Sequence, residues 1–301
     1  MRKIQIVTDS TSDLNGELLE KYGIDYCRMS TVLDGKETEA TLTWDNCSPE
    51  DFYQLLRDGN RITTTQVPVS EFVRVFNKYI DEGCDIIYLA CSNRQSGSIN
   101  TSIVVAKDVL KEHPEAKIAC IDALRAGPGE GMLAIYAAEK AAAGADFDEL
   151  VEDIKKQRLH INQFMTMYSL DSFRRAGRVE NSEAYQSNLM AVKPILIADA
   201  NGAQVPVRKV RGRAASLTEI ADMLAEAGGN DATQGDTIFI GHADCLPEDV
   251  EAVRERLNEK CPDKKVLAVY IGPIVGASVG PDCIGVWGWG NEVTYKAGEA
   301  K

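Results

Sequence analysis

Hydroxyl and glycine residues at the junctions between predicted strands and helices are the residues of this chain best suited to bind a ligand. Thr63 and Thr64 belong to the segment RITTTQVPVS. Because successive side chains of an extended segment alternate in direction, we expect at least one threonine of this run to face a cleft. In CSNRQSGS, Ser96 and Gly97 lie where a predicted strand passes into a helix. The backbone N–H groups of such a helix start favour a carboxylate or phosphate, although an ordinary polar loop is the alternative.

Glycine and proline constrain the chain around Ser278. The stretch GPIVGASVGPDCIG contains four glycines and two prolines directly after the apolar run VLAVYI. It predicts a rigid turn, in which Ser278 either faces a ligand or is an ordinary polar turn residue. The glycine-rich segment ALRAGPGEG lacks both the GxGxxG arrangement and the GK[ST] ending of phosphate-binding loops, so it predicts a helix start.

The sequence offers few groups for catalysis. Of its three histidines only His242 follows a predicted strand, and Asp244 is its only evident neighbour. No nucleophile motif accompanies it, so we expect no catalytic residues and keep an enzyme as the weaker interpretation. The eight cysteines form no CxxC pair and have no histidine at ligand spacing, so we expect neither a metal site nor a cofactor.

Arg174, Arg175 and Arg178 form a basic cluster in the segment SFRRAGRV of an otherwise acidic chain. A solvated helix end is the simpler interpretation of such a cluster. The functional interpretation is a docking site for an acidic partner or a phosphate.

Alternating strand and helix patterns position these residues in the first half of the chain. IQIV, DIIYLAC and KIACID predict buried strands. Between them, residues 70–82 and 98–111 place apolar side chains at helical spacing, the first set behind Ser70 as a helix cap. This order predicts an α/β domain with a largely parallel sheet and helices on both faces.

The pattern changes after an alanine-rich helix near 131–143 and a further helix near 146–159. KPILIADANGAQVPVRKVRG predicts two strands joined by a tight turn, and the later strands alternate with helices near 216–227 and 247–260. We therefore predict two domains, an α/β domain over 1–160 and a mixed α+β domain over 161–301, with a ligand cleft at their interface.

Composition limits the partners. A formal net charge of -13 disfavours nucleic acid and anionic membranes, because both would repel the chain. No segment reads as a signal peptide or as a membrane span, so we expect no integral membrane insertion. Reduced, mostly buried thiols are typical of the cytosol, so we expect a cytoplasmic protein.

Seven segments, taken in order, resemble those of the DegV family. TDSTSDL is similar to the family's opening, ITTTQVPVSEF to its Thr-Thr-Ser-Gln-Pro stretch, and SNRQSGS to its Ser-x-Leu-Ser-Gly-Thr loop. IDALRAGPGEG, SLDSFRRAGRV, KPILIADANG with KVRG, and GPIVGASVGPD follow in the family's order. The resemblance implies a two-domain fold that holds a fatty acid, with the carboxylate at the domain interface and the tail in an apolar tunnel. It also implies a carrier that presents the acyl group to a fatty acid kinase.

Carried over by position, the resemblance implies that five residues contact the carboxylate: Thr63, Asn93, Ser96, Gly97 and Ser278. This chain departs from the family's pattern at two of these positions. The family often has Ser at the position of Asn93 and His at the position of Ser278. Asparagine still donates hydrogen bonds. Loss of a charged imidazole is expected to weaken carboxylate binding roughly tenfold unless another group compensates. The alternative function is binding of a different, less acidic small ligand on the same scaffold.

Overall fold

The computed structural model describes residues 2–180, 182, 191–228 and 235–298. The strands in chain order are β1 (Lys3–Asp9), β2 (Asp25–Cys27), β3 (Met29–Leu33), β4 (Lys36–Ala40), β5 (Thr63–Thr64), β6 (Cys84–Ala90), β7 (Ile118–Asp122), β8 (Ile161–Thr166), β9 (Val192–Ala198), β10 (Gln204–Arg211), β11 (Thr237–His242), β12 (Lys265–Tyr270) and β13 (Ile284–Trp289). The helices are α1 (Gly16–Tyr22), α2 (Pro49–Arg57), α3 (Val69–Asp81), α4 (Ser98–Glu112), α5 (Pro128–Ala142), α6 (Phe147–Gln157), α7 (Asp171–Ala176), α8 (Arg213–Glu226), α9 (Pro247–Lys260) and α10 (Pro273–Val279).

The first sheet is parallel throughout, in the order β2-β1-β6-β7. Its central strand β6 is buried along its whole length, as expected for a strand that helices cover on both faces. Side chains alternate between the faces: Ile86 and Tyr88 pack with α3 and α4, whereas Ile87 and Leu89 pack with α5. The predicted parallel sheet with helices on both faces is confirmed.

The second sheet is mixed, in the order β10-β9-β8-β13-β11-β12. β11 and β12 are parallel, and the other neighbours are antiparallel. Helices α8 and α9 cover one face through a cluster that includes Leu217, Leu224 and Val253. The prediction of a mixed second half with a β9–β10 hairpin is confirmed. The first strand of this sheet along the chain begins at Ile161; the domain boundary near residue 160 stays a prediction.

Helix α5 lies between the two sheets, in contact with β1 and β6 of the first and with β8, β11 and β13 of the second. Two glycines make this close packing possible. A Cβ at Gly129 would lie 2.8 Å from Trp287 Cδ1, and one at Gly131 would lie 2.6 Å from the backbone oxygen of Ser12. The glycine-rich segment is therefore a helix start, as predicted, and it begins at Pro128.

Two sequence predictions about local structure were wrong, one about a helix cap and one about a turn. Ser70 does not cap α3, because the helix begins at Val69 and Pro68 occupies the capping position. The stretch around Ser278 is not a turn. Its residues form α10, since a proline at the first helical position is compatible with a helix and lacks only an N–H that would have no partner there.

A small third sheet, in the order β4-β3-β5, was not predicted. β3 and β4 form a hairpin around Asp34 and Gly35, which have φ angles of 50° and 77°. An Asp-Gly pair at a two-residue turn is a strong hairpin signal, and it was present in the sequence. None of the helices in the described part of the chain is long and apolar enough to cross a membrane.

Candidate functional site

A cavity of about 250 Å³ is lined by residues from both halves of the chain. Its apolar lining includes Met29, Met165, Phe173, Ile274, Val279 and Trp287. Six of its other lining residues form what we call the polar side: Thr64, Gln66, Ser96, Gly97, Arg178 and Ser278. A largely apolar molecule that carries a polar group suits a cavity lined by both kinds of residue.

Of the five predicted carboxylate contacts and the further candidate Thr64, four residues line the cavity: Thr64, Ser96, Gly97 and Ser278. Thr63 lines a neighbouring groove of about 470 Å³, which shares Thr64, Arg178 and Ser278 with the cavity. Pairing of β5 with β3 aligns Thr63 with Val32 and Thr64 with Thr31, and adjacent residues of a strand face opposite ways. This explains why Thr64 reaches the cavity and Thr63 does not.

Asn93 lines neither the cavity nor the groove. Its side chain is exposed and accepts a hydrogen bond from Asn100 Nδ2 at 3.0 Å. The chain makes a tight turn here, in which the N–H groups of Gln95 and Ser96 both donate to the carbonyl oxygen of Ser92. Asn93 lies on the outside of that turn, so the structure does not bring it to the other predicted contacts.

The start of α4 lies next to the cavity, which Ser96 and Gly97 line. In the first turn, Ser98 N donates to Ser96 Oγ at 3.2 Å and Asn100 N donates to the carbonyl oxygen of Gly97 at 3.0 Å. Gly97 lies close to Gln66, since a Cβ at Gly97 would lie 2.5 Å from Gln66 Oε1. The positive end of a helix dipole next to polar hydroxyls suits an anionic head group.

Ser278 is half-buried in the last turn of α10. The helix is held from its other end, where Gly272 N donates to Asp13 Oδ1 at 2.8 Å. Along its length, Tyr53 Oη donates to the carbonyl oxygen of Ile271, and Gly276 lies against the Tyr53 ring. These contacts fix the helix, and with it the direction in which Ser278 faces the cavity.

The three arginines of the predicted docking cluster have different surroundings. Arg174 donates to Oγ and the carbonyl oxygen of Ser182, and Arg175 donates to Ser172 Oγ. Arg178 is half-buried and lines both the cavity and the groove. Sequence reasoning missed this second role. The only available signal was its place in the basic segment SFRRAGRV.

Arg178 is a cation without a carboxylate partner in the described part of the chain. Its guanidinium donates to the carbonyl oxygens of Gln95 and Ala176. An arginine presents five N–H donors, so donors remain for an anion in the cavity. The arrangement therefore places a positive charge beside the hydroxyl groups of the polar side.

Beneath the cavity the segment TDSTSD forms a fully buried carboxylate cluster with Glu130. Thr11 Oγ1 lies 2.6 Å from Asp9 Oδ1 and 2.5 Å from Glu130 Oε2. One hydroxyl donates one proton, so the second contact requires a proton on a carboxyl group. Asp9 also accepts from Tyr88 Oη and Cys91 N, which favours its charged form, so the extra proton belongs to Glu130. Burial and the charge of Asp9 raise the pKa of Glu130 well above its usual range.

Asp13, at the end of the same segment, lines the cavity and is itself buried. Its Oδ1 accepts from Gly272 N, while its Oδ2 has no hydrogen-bond partner among the described residues. Burial raises the pKa of Asp13 well above its usual range, and the nearby charge of Asp9 adds to this shift. The family resemblance pointed to this segment, but no local pattern placed Asp13 in the cavity wall.

His242 lies outside the cavity. Its ring packs on Tyr270 with centroids 4.4 Å apart, and burial lowers its pKa. Within residues 2–180, 182, 191–228 and 235–298, no three or more His, Cys, Asp or Glu side chains form a group that would hold a metal ion.

Known proteins similar to this chain share one family. A family model described as "Uncharacterised protein, DegV family" matches residues 3–288. A DegV domain-containing protein of Clostridium perfringens is 32% identical over 287 residues, which cover 95% of this chain and 97% of that protein. A DegV domain-containing protein of Caldanaerobacter subterraneus subsp. tengcongensis is 30% identical over 287 residues, 95% of this chain and 99% of that protein.

Solved structures of similar fold come from several bacteria. A DegV family protein from Thermus thermophilus, described as binding fatty acid, has a TM-score of 0.84 at 23% identity, over 96% of this chain and 100% of that chain. A DegV family protein from Ruminococcus gnavus, solved with vaccenic acid, has a TM-score of 0.83 at 19% identity, over 95% and 100%. A stearic acid-binding protein from Eubacterium ventriosum has a TM-score of 0.81 at 23% identity, over 96% and 98%.

Proposed function

The chain belongs to the DegV family, and from this premise we propose that it binds a long-chain fatty acid in the cavity. The carboxylate lies at the polar side and the acyl tail among the apolar lining. The Thermus, Ruminococcus and Eubacterium proteins of the same fold are described with fatty acids, which supports this ligand class. The proposal is a binding function without catalysis by this chain.

The observation that carries the proposal is that one cavity is lined both by hydroxyl and guanidinium donors and by aliphatic and aromatic side chains. Each buried methylene of a tail contributes about 0.8 kcal/mol, so the tail supplies most of the affinity. The donors select the carboxylate and fix its position.

Arg178 supports an acidic ligand rather than a less acidic one. This chain has Ser278 at the position where the family resemblance implies a histidine. It therefore lacks the cation that a protonated imidazole would supply there. Arg178 lines the same cavity as Ser278 and has donors to spare. It compensates for the missing imidazole, because a charge-assisted hydrogen bond is about twice as strong as a neutral one.

A fatty acid kinase is the proposed partner, and it would act on the bound acid in the cytoplasm. Arg175 is exposed beside the groove and suits contact with an acidic surface. In this proposal Arg174 and Arg175 contact the partner, whereas Arg178 contacts the ligand. The groove, which Arg175 and Arg178 line, provides the route by which the kinase reaches the head group.

Native mass spectrometry of the protein purified without added ligand tests the proposal. We expect a bound mass in the range of long-chain fatty acids, and a rise in thermal midpoint when palmitate is added to delipidated protein. Absence of both results would refute fatty-acid binding.

The variant Ser278→His separates the two ligand classes. An added imidazolium should tighten palmitate binding, by up to about tenfold, if an acid is the ligand. Its affinity for the neutral methyl ester should not change. Equal effects on the acid and the ester would favour the alternative, a less acidic ligand.

A further inference from the structure

One wall of the cavity is more polar than a tunnel for a plain hydrocarbon requires. Asp13, Gln163, Gln204 and Trp287, which we call the buried wall, all line the cavity and are all less than 5% exposed. A hydrocarbon tail offers such groups no hydrogen bond, and burial of a polar group without a partner is unfavourable. The composition of this wall therefore bears on the ligand's chemistry.

The glutamines and the tryptophan of this wall are mutually bonded. Gln163 Nε2 donates to Gln204 Oε1 at 2.7 Å, and Trp287 Nε1 donates to Gln163 Oε1 at 3.0 Å. Asp13 is different, since its Oδ2 has no partner among the described residues. A Cβ at Gly127 would lie 3.3 Å from this oxygen, and Gly127 also lines the cavity. Glycine at 127 leaves space beside Asp13 that a side chain would occupy.

Asp13 and Ser278 lie at opposite ends of α10. Asp13 binds the N–H of Gly272 at the start of α10, whereas Ser278 lies in the last turn of that helix. Six residues of helix span about 9 Å. A fatty acid whose carboxylate contacts Ser278 would thus pass Asp13 part-way along its chain and not at its head.

We propose that the buried wall is a second, polar subsite, at which Asp13 binds an oxygen carried part-way along the acyl chain. The preferred ligand class is then a long-chain hydroxy or oxo fatty acid. This inference rests on the proposed fatty-acid binding and specifies its substrate class. The raised pKa of Asp13 favours the neutral carboxyl group, which donates a hydrogen bond to a hydroxyl or a ketone oxygen.

The test compares stearate with a series of octadecanoic acids that carry one hydroxyl group at different carbons, titrated calorimetrically into the delipidated full chain. We expect isomers with the hydroxyl at one narrow range of mid-chain positions to bind about tenfold more tightly than stearate. Isomers substituted elsewhere should bind no more tightly than stearate, because their hydroxyl is buried without a partner.

Variants at Asp13 identify the group responsible. The preference for the matched isomer over stearate, measured within each protein, should disappear in Asp13→Ala. It should persist in Asp13→Asn, because asparagine keeps a donor and tolerates the φ of 53° at this position. If Asp13→Ala does not fold, the isomer series on the parent protein still decides the question.

The outcomes are distinguishable. If stearate binds and no isomer is preferred, this subsite alone is overturned. A water molecule bound to Asp13 would give that result. Failure of stearate and every isomer to bind overturns the proposed function as well. A preference that survives in a folded Asp13→Ala protein overturns the assignment to Asp13.

Discussion

At the scale of single residues, Arg178 is expected to decide affinity for the acid. Its guanidinium lines both the cavity and the groove and bonds only carbonyl oxygens in the described part of the chain. Arg178→Gln replaces a charge-assisted hydrogen bond to the carboxylate by a neutral one. We expect the Kd for palmitate to rise about tenfold, because the two kinds of bond differ by about 1 to 2 kcal/mol. Calorimetric titration measures this change.

The matched control is Arg208→Gln, which removes an exposed arginine that pairs with Glu219 and lines neither the cavity nor the groove. It should leave palmitate binding unchanged. Methyl palmitate should bind Arg178→Gln and the parent equally, because the ester has no charge to lose. An equal loss for acid and ester would mean that Arg178 supports the cavity and does not contact the carboxylate.

The polar side was partly predictable residue by residue. Thr64, Ser96 and Gly97 were found because polar residues at strand ends and helix starts have a local sequence pattern. Arg178 and Asp13 have no such pattern. Their roles depend on contacts with Gln95 and Gly272, which lie 83 and 259 residues away in the chain, and burial created by such distant contacts is not encoded in spacing.

At the scale of elements, the end of β1 and the start of α5 are linked by hydrogen bonds that require a proton on Glu130. Thr11 bridges Asp9 and Glu130, and the neutral form of Glu130 completes the contacts. The folded-state pKa of Glu130 lies well above the ordinary 4.5, so the folded chain keeps a proton that the unfolded chain loses. The stability this supplies is full below pH 4.5 and is lost as the pH rises through the folded pKa.

Glu130→Gln should remove this pH dependence. The amide has the shape of the neutral acid, accepts from Thr8, and donates to Thr11 without titrating. Between about pH 5 and about pH 8 we expect the free energy of unfolding of Glu130→Gln to fall less than that of the parent. Urea denaturation at several pH values measures this difference. Glu139→Gln, an exposed change on the same helix, should follow the parent, and parallel curves for all three proteins would contradict the assignment.

The same scale shows why element type was predicted better than element ends. A buried strand such as β6 is indicated by its continuous apolar run, and an amphipathic helix such as α3 by apolar residues at helical spacing. Helix α10 was not indicated in this way, because its glycines and proline resemble a turn. Gly272 and Gly276 pack so closely against Asp13 and Tyr53 that a side chain would not fit at either position. Only the tertiary structure reveals these contacts.

At the scale of the whole molecule, side-chain contacts hold together the two halves of the chain, and residues of both halves line the cavity. Arg57 pairs with Asp244 and Asp282, and Ser92 Oγ donates to the carbonyl oxygen of Gly202 at 2.9 Å. Each contact joins the first half of the chain to the second. The cavity is therefore only as rigid as the interface between the halves.

Arg125 is another link between the two halves of the chain. It is fully buried, burial lowers its pKa to about 10, and it donates to the carbonyl oxygens of Ile161 and Asp199 in the second half of the chain. Arg125→Met would leave these oxygens without a donor, so we expect the free energy of unfolding to fall by about 2 to 4 kcal/mol. Arg158→Met, which removes a partly buried arginine bound to the carbonyl oxygen of Asp122, should cost less. Because the ligand binds only the folded chain, saturating palmitate should restore part of the loss in Arg125→Met, as measured by urea denaturation. A loss no larger than that of Arg158→Met would show that the sheets hold together without Arg125, and that other contacts keep the cavity closed.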